Sequence, residues 1–127
     1  MRLSVRDNLP FTSVTVAYRG RFITLPEVLI DTGSARTILS ADAVANIEIY
    51  PVPDDILYTI HGVGGSEVVF SRQVDYLQVG DRRLENFEIE VGGMDYGFEI
   101  RGILGMDFLH QAGVILDLAD MSMQFSS

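Results

Sequence analysis

The chain contains no cysteine, which excludes disulfides and thiolate metal sites, and its two histidines, His61 and His110, are too few for a His-rich metal cluster. No metal or other cofactor is therefore expected. Basic residues are scarce, nine against eighteen acidic ones, giving a formal charge of -9. That balance disfavours phosphate backbones and anionic membrane surfaces as partners. Long apolar runs are missing too: nothing approaches the roughly 18 residues needed to cross a bilayer, and MRLSVRDNLP at the start has no apolar core of a secretory signal. As given, the chain reads as cytoplasmic with no membrane partner, unless an anchor or signal segment lies outside it. Helical windows are few and short. SADAVANI (40–47), with Ser40 as N-cap, and MDFLHQA (106–112), ending before Gly113, are too brief to build a helical domain.

What is present is a series of strand-length runs between turn signals. A chain of 127 residues is enough for one domain, 1–127, and a domain of this size buries roughly two-thirds of its unfolded surface. FTSVTVAY (11–18) and RFITLPEVLI (21–30) flank Arg19-Gly20 as a hairpin. EVVFSRQVDYLQV (67–79) leads through Gly80-Asp81 into RLENFEIEV (83–91) as a second. GVILDL (113–118) and MSMQF (121–125) read as closing strands. Many short strands with two small helices predict an all-β fold, closed and barrel-like. PEVLIDTG and IRGILGMD each run an apolar strand into a glycine-containing loop before a short helix, the pattern of a duplicated unit.

The residues that raise a chemical question are LIDTGSARTILS, 29–40. Asp31 directly follows Val28-Leu29-Ile30, and a carboxylate leaving a buried strand is costly unless neighbours hydrogen-bond it or chemistry uses it. On the plainest reading Asp31 starts an Asx turn or caps a helix, and Gly33 supplies a positive φ. Thr32 and Ser34, however, place two hydroxyls beside one carboxylate. Gly33, without a Cβ, also lets a second carboxylate or a substrate backbone come close. Downstream lie YTIHGVGGSEVVF (58–70), two β-prone arms around a glycine-rich tip, then Ile103-Leu104-Gly105-Met106-Asp107-Phe108-Leu109, and last the C-terminal strand.

In this order, over nearly the whole chain, these motifs resemble the retropepsin-like aspartic proteases. In that family Asp-Thr/Ser-Gly-Ala/Ser follows an apolar strand, as Leu29-Ile30-Asp31-Thr32-Gly33-Ser34 does, with Thr37, Leu39 and Ser40 matching the continuation. A glycine-tipped flap and an apolar-apolar-Gly segment follow, as in Ile103-Leu104-Gly105. GILGMDFL is closer to bacterial stand-alone and retroelement members than to viral ones, which carry Arg where Met106 stands.

The resemblance implies an aspartic endopeptidase acting on an extended peptide or protein. Because each chain has one Asp-Thr-Gly, the second carboxylate would come from a second copy, giving a homodimer with its active site on the two-fold axis. An intrachain pair of Asp31 with Asp107 is the lesser option, since Asp107 reads better as capping or solvating the helix at 106–112. Asp31, Thr32 and Gly33 would be the catalytic loop. Ser34, Ala35 and the flap residues Ile60, His61, Gly62, Val63, Gly64 and Gly65 would meet substrate, and Ile103, Leu104 and Gly105 would pack behind the loop. A Ser34 hydroxyl donating to Asp31 would stabilise the charged carboxylate. Residues 1–6 and 121–125 would interleave at the dimer interface.

Other chemistries fit poorly. Neither Thr32-Gly33-Ser34-Ala35-Arg36 nor Gly64-Gly65-Ser66-Glu67-Val68 satisfies G-x-S-x-G before a helix. Gly62-Val63-Gly64-Gly65 is no dinucleotide loop, because Glu67 takes the third glycine's place and Val68-Val69 follows where a helix should start. The alternative from another class is a catalytically silent dimeric peptide-binding or scaffold module of the same fold.

Overall fold

The computed structural model describes residues 1–62, 65–94 and 100–127. The chain opens with β1 (Ser4–Arg6), β2 (Leu9–Tyr18), β3 (Arg21–Ile30) and β4 (Ile38–Ser40), then α1 (Ala41–Val44) and a 3-10 turn (Ala45–Ile47). It continues through β5 (Tyr58–Gly62), β6 (Gly65–Gln73), β7 (Tyr76–Val79), β8 (Arg82–Glu85) and β9 (Glu88–Gly92). β10 (Gly102–Leu104), α2 (Met106–Gln111), β11 (Val114–Asp117) and β12 (Ser122–Phe125) complete it. The fold is mostly β, as expected.

The first predicted hairpin is present as β2 and β3. Arg19 (φ 51) and Gly20 (φ 82) form its two-residue turn, both in the left-handed region that matches the twist of hairpin strands. Leu25 and Val28 both reach the main core, although three residues apart in a regular strand they would face opposite sides. The register shift in this pair and Glu27 at φ 61 supply the extra residue of a bulge. That bulge sets which faces Leu29 and Ile30 present just before Asp31.

The second predicted hairpin becomes two nested ones. Val74 and Asp75 leave the line of β6, with Val74 N donating to Phe87 O and Asp75 N to Ala17 O. β7 then pairs with β2 and β8, while β9 returns against β6. The helix expected over 40–47 splits into α1 and the 3-10 turn, with Ser40 as N-cap accepting from Ala43 N. MDFLHQA forms α2 as expected, packing buried Phe108 edge-to-face on Phe87 at 6.0 Å.

The barrel expected from sequence is not closed. Among the described residues the main sheet runs β5-β6-β9-β4-β10-β3-β2-β7-β8, with β1 added to β2, so its path has two ends. β11 and β12, expected to close it, instead form a separate two-stranded sheet. The outer side of β12 is taken by the N-terminus: Met1 N and Met123 N donate to the carbonyls of Met123 and Met1, at 2.7 and 2.8 Å, and Leu3 N donates to Met121 O. Residues 1–3 and 121–123 thus bond to each other within one chain.

The two echoing segments lie side by side. β10 runs parallel to β3, with Ile103 opposite Leu29 and Leu104 opposite Ile30. On its other side it runs antiparallel to β4. β10 therefore threads between the strand that enters the 31–37 loop and the strand that leaves it. Gly102 permits this, since a Cβ there would sit 2.7 Å from Ile38 O. Gly102→Ala should destabilise the fold by about 1–3 kcal/mol, read as a lowered urea midpoint with an unchanged slope.

Candidate active site

Asp31 stands at the end of β3, half-buried, with Thr32, Gly33, Ala35 and Arg36 exposed after it. Its backbone N–H donates to Leu104 O at 3.0 Å, continuing the β3–β10 ladder one residue further. Gly33 N donates to Asp31 Oδ1 at 2.9 Å, and Ser34 N to Asp31 O at 3.2 Å. This is the Asx turn that the plain reading anticipates, but Gly33 does not adopt the positive φ expected of it. Among the described residues no donor reaches Asp31 Oδ2, so one carboxylate oxygen is left for water or another group. A Cβ on residue 33 would lie 3.2 Å from Oδ1, tight enough to disturb the turn.

Ser34 departs from expectation. Its hydroxyl donates to Arg36 O at 2.7 Å, and with a single proton it has none left for Asp31. Ser34 shapes the loop in place of tuning the carboxylate.

The loop is held mainly from β10 and α2. Met106 N donates to Ser34 O (2.8 Å) and Asp107 N to Ala35 O (3.2 Å). Gly105 lies so close that a Cβ would be 2.4 Å from Arg36 O and 2.9 Å from Ser34 O. Thr37, fully buried, is the joint. Its Oγ1 donates to Asp107 Oδ1 at 2.7 Å and accepts from Gly105 N at 3.1 Å, while its N–H donates to Asp107 Oδ2 at 3.0 Å. Asp107 Oδ1 also accepts from Phe108 N at 2.7 Å. Gly105, without a side-chain cap, is the N-cap of α2; Asp107 takes one first-turn N–H, that of Phe108, and beyond this expected helix contact it is a bolt between α2 and the loop. With both oxygens bound to Thr37, Asp107 is no intrachain partner for Asp31. The Thr37–Asp107 pair has no local signal in the sequence, because its members lie 70 positions apart.

Ile103 and Leu104 are buried, on the strand that lies beside β3. Ile103 belongs to a second apolar cluster with Phe11, Ile38, Val69, Met94 and Ile100. Half-buried Leu9, Leu29 and Ile60 pack on its margin, so the root of the β5–β6 hairpin and the strand leading to Asp31 share one apolar surface. In that hairpin His61 pairs with Ser66 and Gly62 with Gly65; Val63 and Gly64 lie outside the described residues. At its base Tyr58 OH donates to buried Glu90 and bonds Ser71 Oγ at 2.7 Å. Among the described residues no group of three His, Cys, Asp or Glu side chains could hold a metal ion, and no helix is long and apolar enough to cross a membrane.

The model of one family, described as aspartyl protease, matches residues 14–108, from β2 into α2. No match was found among curated proteins.

Two consequences are measurable. Asp107→Ala strands the buried Thr37 donors and should lower stability by about 1–3 kcal/mol, with faster hydrogen exchange at Thr37 and Gly105. The Tyr58 hydroxyl is raised above 10.0 by burial, then by its bond to Glu90. A raised value favours the protonated form in the fold, so this contribution is complete below about pH 10 and fades above it. Thermal denaturation on either side of pH 10 should show an alkaline loss that is smaller in Tyr58→Phe.

Proposed function

The chain belongs to the aspartyl protease family, and from that premise we propose that it is an aspartic endopeptidase whose dyad is made of Asp31 from two copies. The observation that carries this reading is the state of Asp31 in one chain. It sits on an exposed loop fixed from behind by backbone bonds, with one oxygen held by Gly33 and the other unclaimed among the described residues. Each chain brings a single Asp-Thr-Gly.

Peptide hydrolysis by carboxylates needs two of them, one ionised and one protonated. Two aspartates about 3 Å apart share one proton, as is known for aspartic protease dyads. The ionised member takes a proton from water as its oxygen attacks the scissile carbonyl carbon. The protonated member hydrogen-bonds the carbonyl oxygen as it gains charge. Protonation of the amide nitrogen then lets the C–N bond break, and the dyad returns to one shared proton. Exposed Thr32 is suited to bonding across to the partner loop, and Gly33 keeps the floor beneath the water flat. The β5–β6 hairpin would cover an extended peptide, its main chain bonded as an added strand. Leu9, Leu29 and Ile60 offer apolar surface to substrate side chains near Asp31.

Cleavage of a peptide library should disappear in Asp31→Asn, with kcat/KM falling on the order of a thousandfold or more, while the unfolding midpoint stays close to wild type. Specific activity should fall on dilution as dimer gives way to monomer. Full activity from protein that sediments only as monomer would falsify the shared dyad. Peptide binding without turnover would turn the reading to a silent binding module.

A further inference from the structure

All nine basic residues of this acidic chain are arginines, and three of them, Arg19, Arg21 and Arg72, line one cavity of about 760 Å³ together with Tyr18 and Tyr50. Glu48 is the single acidic residue in that lining. We propose that this cavity is an exosite for an acidic segment of a protein substrate, recognised through its side-chain carboxylates. That the ligand belongs to a substrate rests on the function proposed above; the site itself does not.

Three features of the cavity support the assignment. Arg72 is a fixed wall: it bonds Asp55 at 2.6 Å, with both side chains only 13 and 15% exposed, and Tyr50 O at 3.1 Å. Arg19 is the available cation. It lies at the β2–β3 turn with its guanidinium 5.1 Å from the Tyr18 ring centre, and among the described residues it has no carboxylate partner. Arg21 is bound to Glu48 at 2.7 Å, but that pair is 63 and 59% exposed, so an incoming carboxylate can compete with Glu48 at little cost. Guanidinium groups are suited to paired hydrogen bonds with carboxylates. The two tyrosines add faces for the flanking peptide, and the volume falls in the usual range of ligand sites.

Position indicates what brings the ligand. Arg21 opens β3 and Ile30 closes it, so the cavity lies about 30 Å of strand from Asp31. A substrate held at Asp31 would need at least about nine extended residues to reach it. Selection would therefore rest on an acidic stretch well removed from the scissile bond, beyond the reach of the hairpin cleft.

The test uses the Asp31→Asn protein, so that loss of catalysis cannot be confused with loss of the exosite. A blocked pentapeptide Glu-Glu-Tyr-Glu-Glu is titrated by calorimetry and by amide chemical shifts. The expected result is saturable binding that shifts the amides of Tyr18 to Arg21, weakens with ionic strength, and is about tenfold or more weaker in Arg19→Glu/Arg21→Glu. Arg19→Gln should show a smaller loss in the same direction with an unchanged unfolding midpoint. Equal binding of the glutamine counterpart peptide, binding undiminished in both variants, or the same shifts from inorganic phosphate at equal concentration would overturn the proposal. So would amide shifts in the same residues that depend on protein concentration alone, which would mark the cavity as a contact between copies.

Discussion

The Thr37–Asp107 joint is the constraint on which the rest of the site depends. A loop that must leave one strand, expose a carboxylate and return to the sheet has few backbone bonds of its own. Here it receives them from outside. β10 fills the gap between the loop's two ends, Gly105 lets the backbones close to contact, and Asp107 accepts from both donors of buried Thr37. Each bond is worth about 1 kcal/mol net, but leaving a buried donor unpaired costs more. The arrangement therefore tolerates little partial loosening, which is how an exposed loop can hold a defined geometry.

That rigidity resolves the question of the costly carboxylate. Asp31 is only half-buried, and one Asx turn is enough to hold it in a single chain. Most of the order comes from the strand behind it, where Ile30 and Leu104 are packed as neighbours in the core. The chemistry proposed for Asp31 follows from what the loop leaves undone. Asp107 turns both oxygens to the protein, whereas among the described residues Asp31 turns one. The contrast between the two aspartates, one closed and one open, is set by Thr37 on one side and by the exposure of Thr32 and Gly33 on the other.

Much of this was readable from residues that act locally. The Arg19-Gly20 turn, Ser40 as a cap and the alternation in β2 each depend on neighbours within a few positions, and each appears as expected. Asp31, Gly33 and the segment Ile103 to Gly105 stand out in the sequence by their order, and the fold joins the two segments through the Asp31 N–Leu104 O bond. What escaped was set by long-range pairing. Nothing near Val74 announces that β6 stops and the chain crosses to Ala17. Ser34 has two acceptors in reach, Asp31 and Arg36 O, and only the folded turn selects one. Asp107 opening a short helix looks like a cap until Thr37 arrives from 70 positions away. The separate β11–β12 sheet is likewise a long-range outcome: β12 has the composition of a closing strand, but residues 121–123 bond to the chain's own N-terminus.

That last pairing bears on how two copies would meet. With β11 along one side and residues 1–3 bonded to residues 121–123 on the other, most of β12 is already paired within the chain. Interleaved chain ends, as the resemblance implies, would require these contacts to be broken first. The exposed surface around Asp31 is the other candidate, and it is small: Thr32, Gly33, Ala35 and Arg36, with Met106 40% exposed beside them. Specific interfaces bury about 1,200 Å² or more in total, which a patch of five residues per copy does not reach alone. A peptide lying across both loops and under both hairpins would add the missing area and main-chain bonds. In a dimer built on the dyad proposed above, assembly of the two Asp31 loops and capture of the peptide would then be one equilibrium.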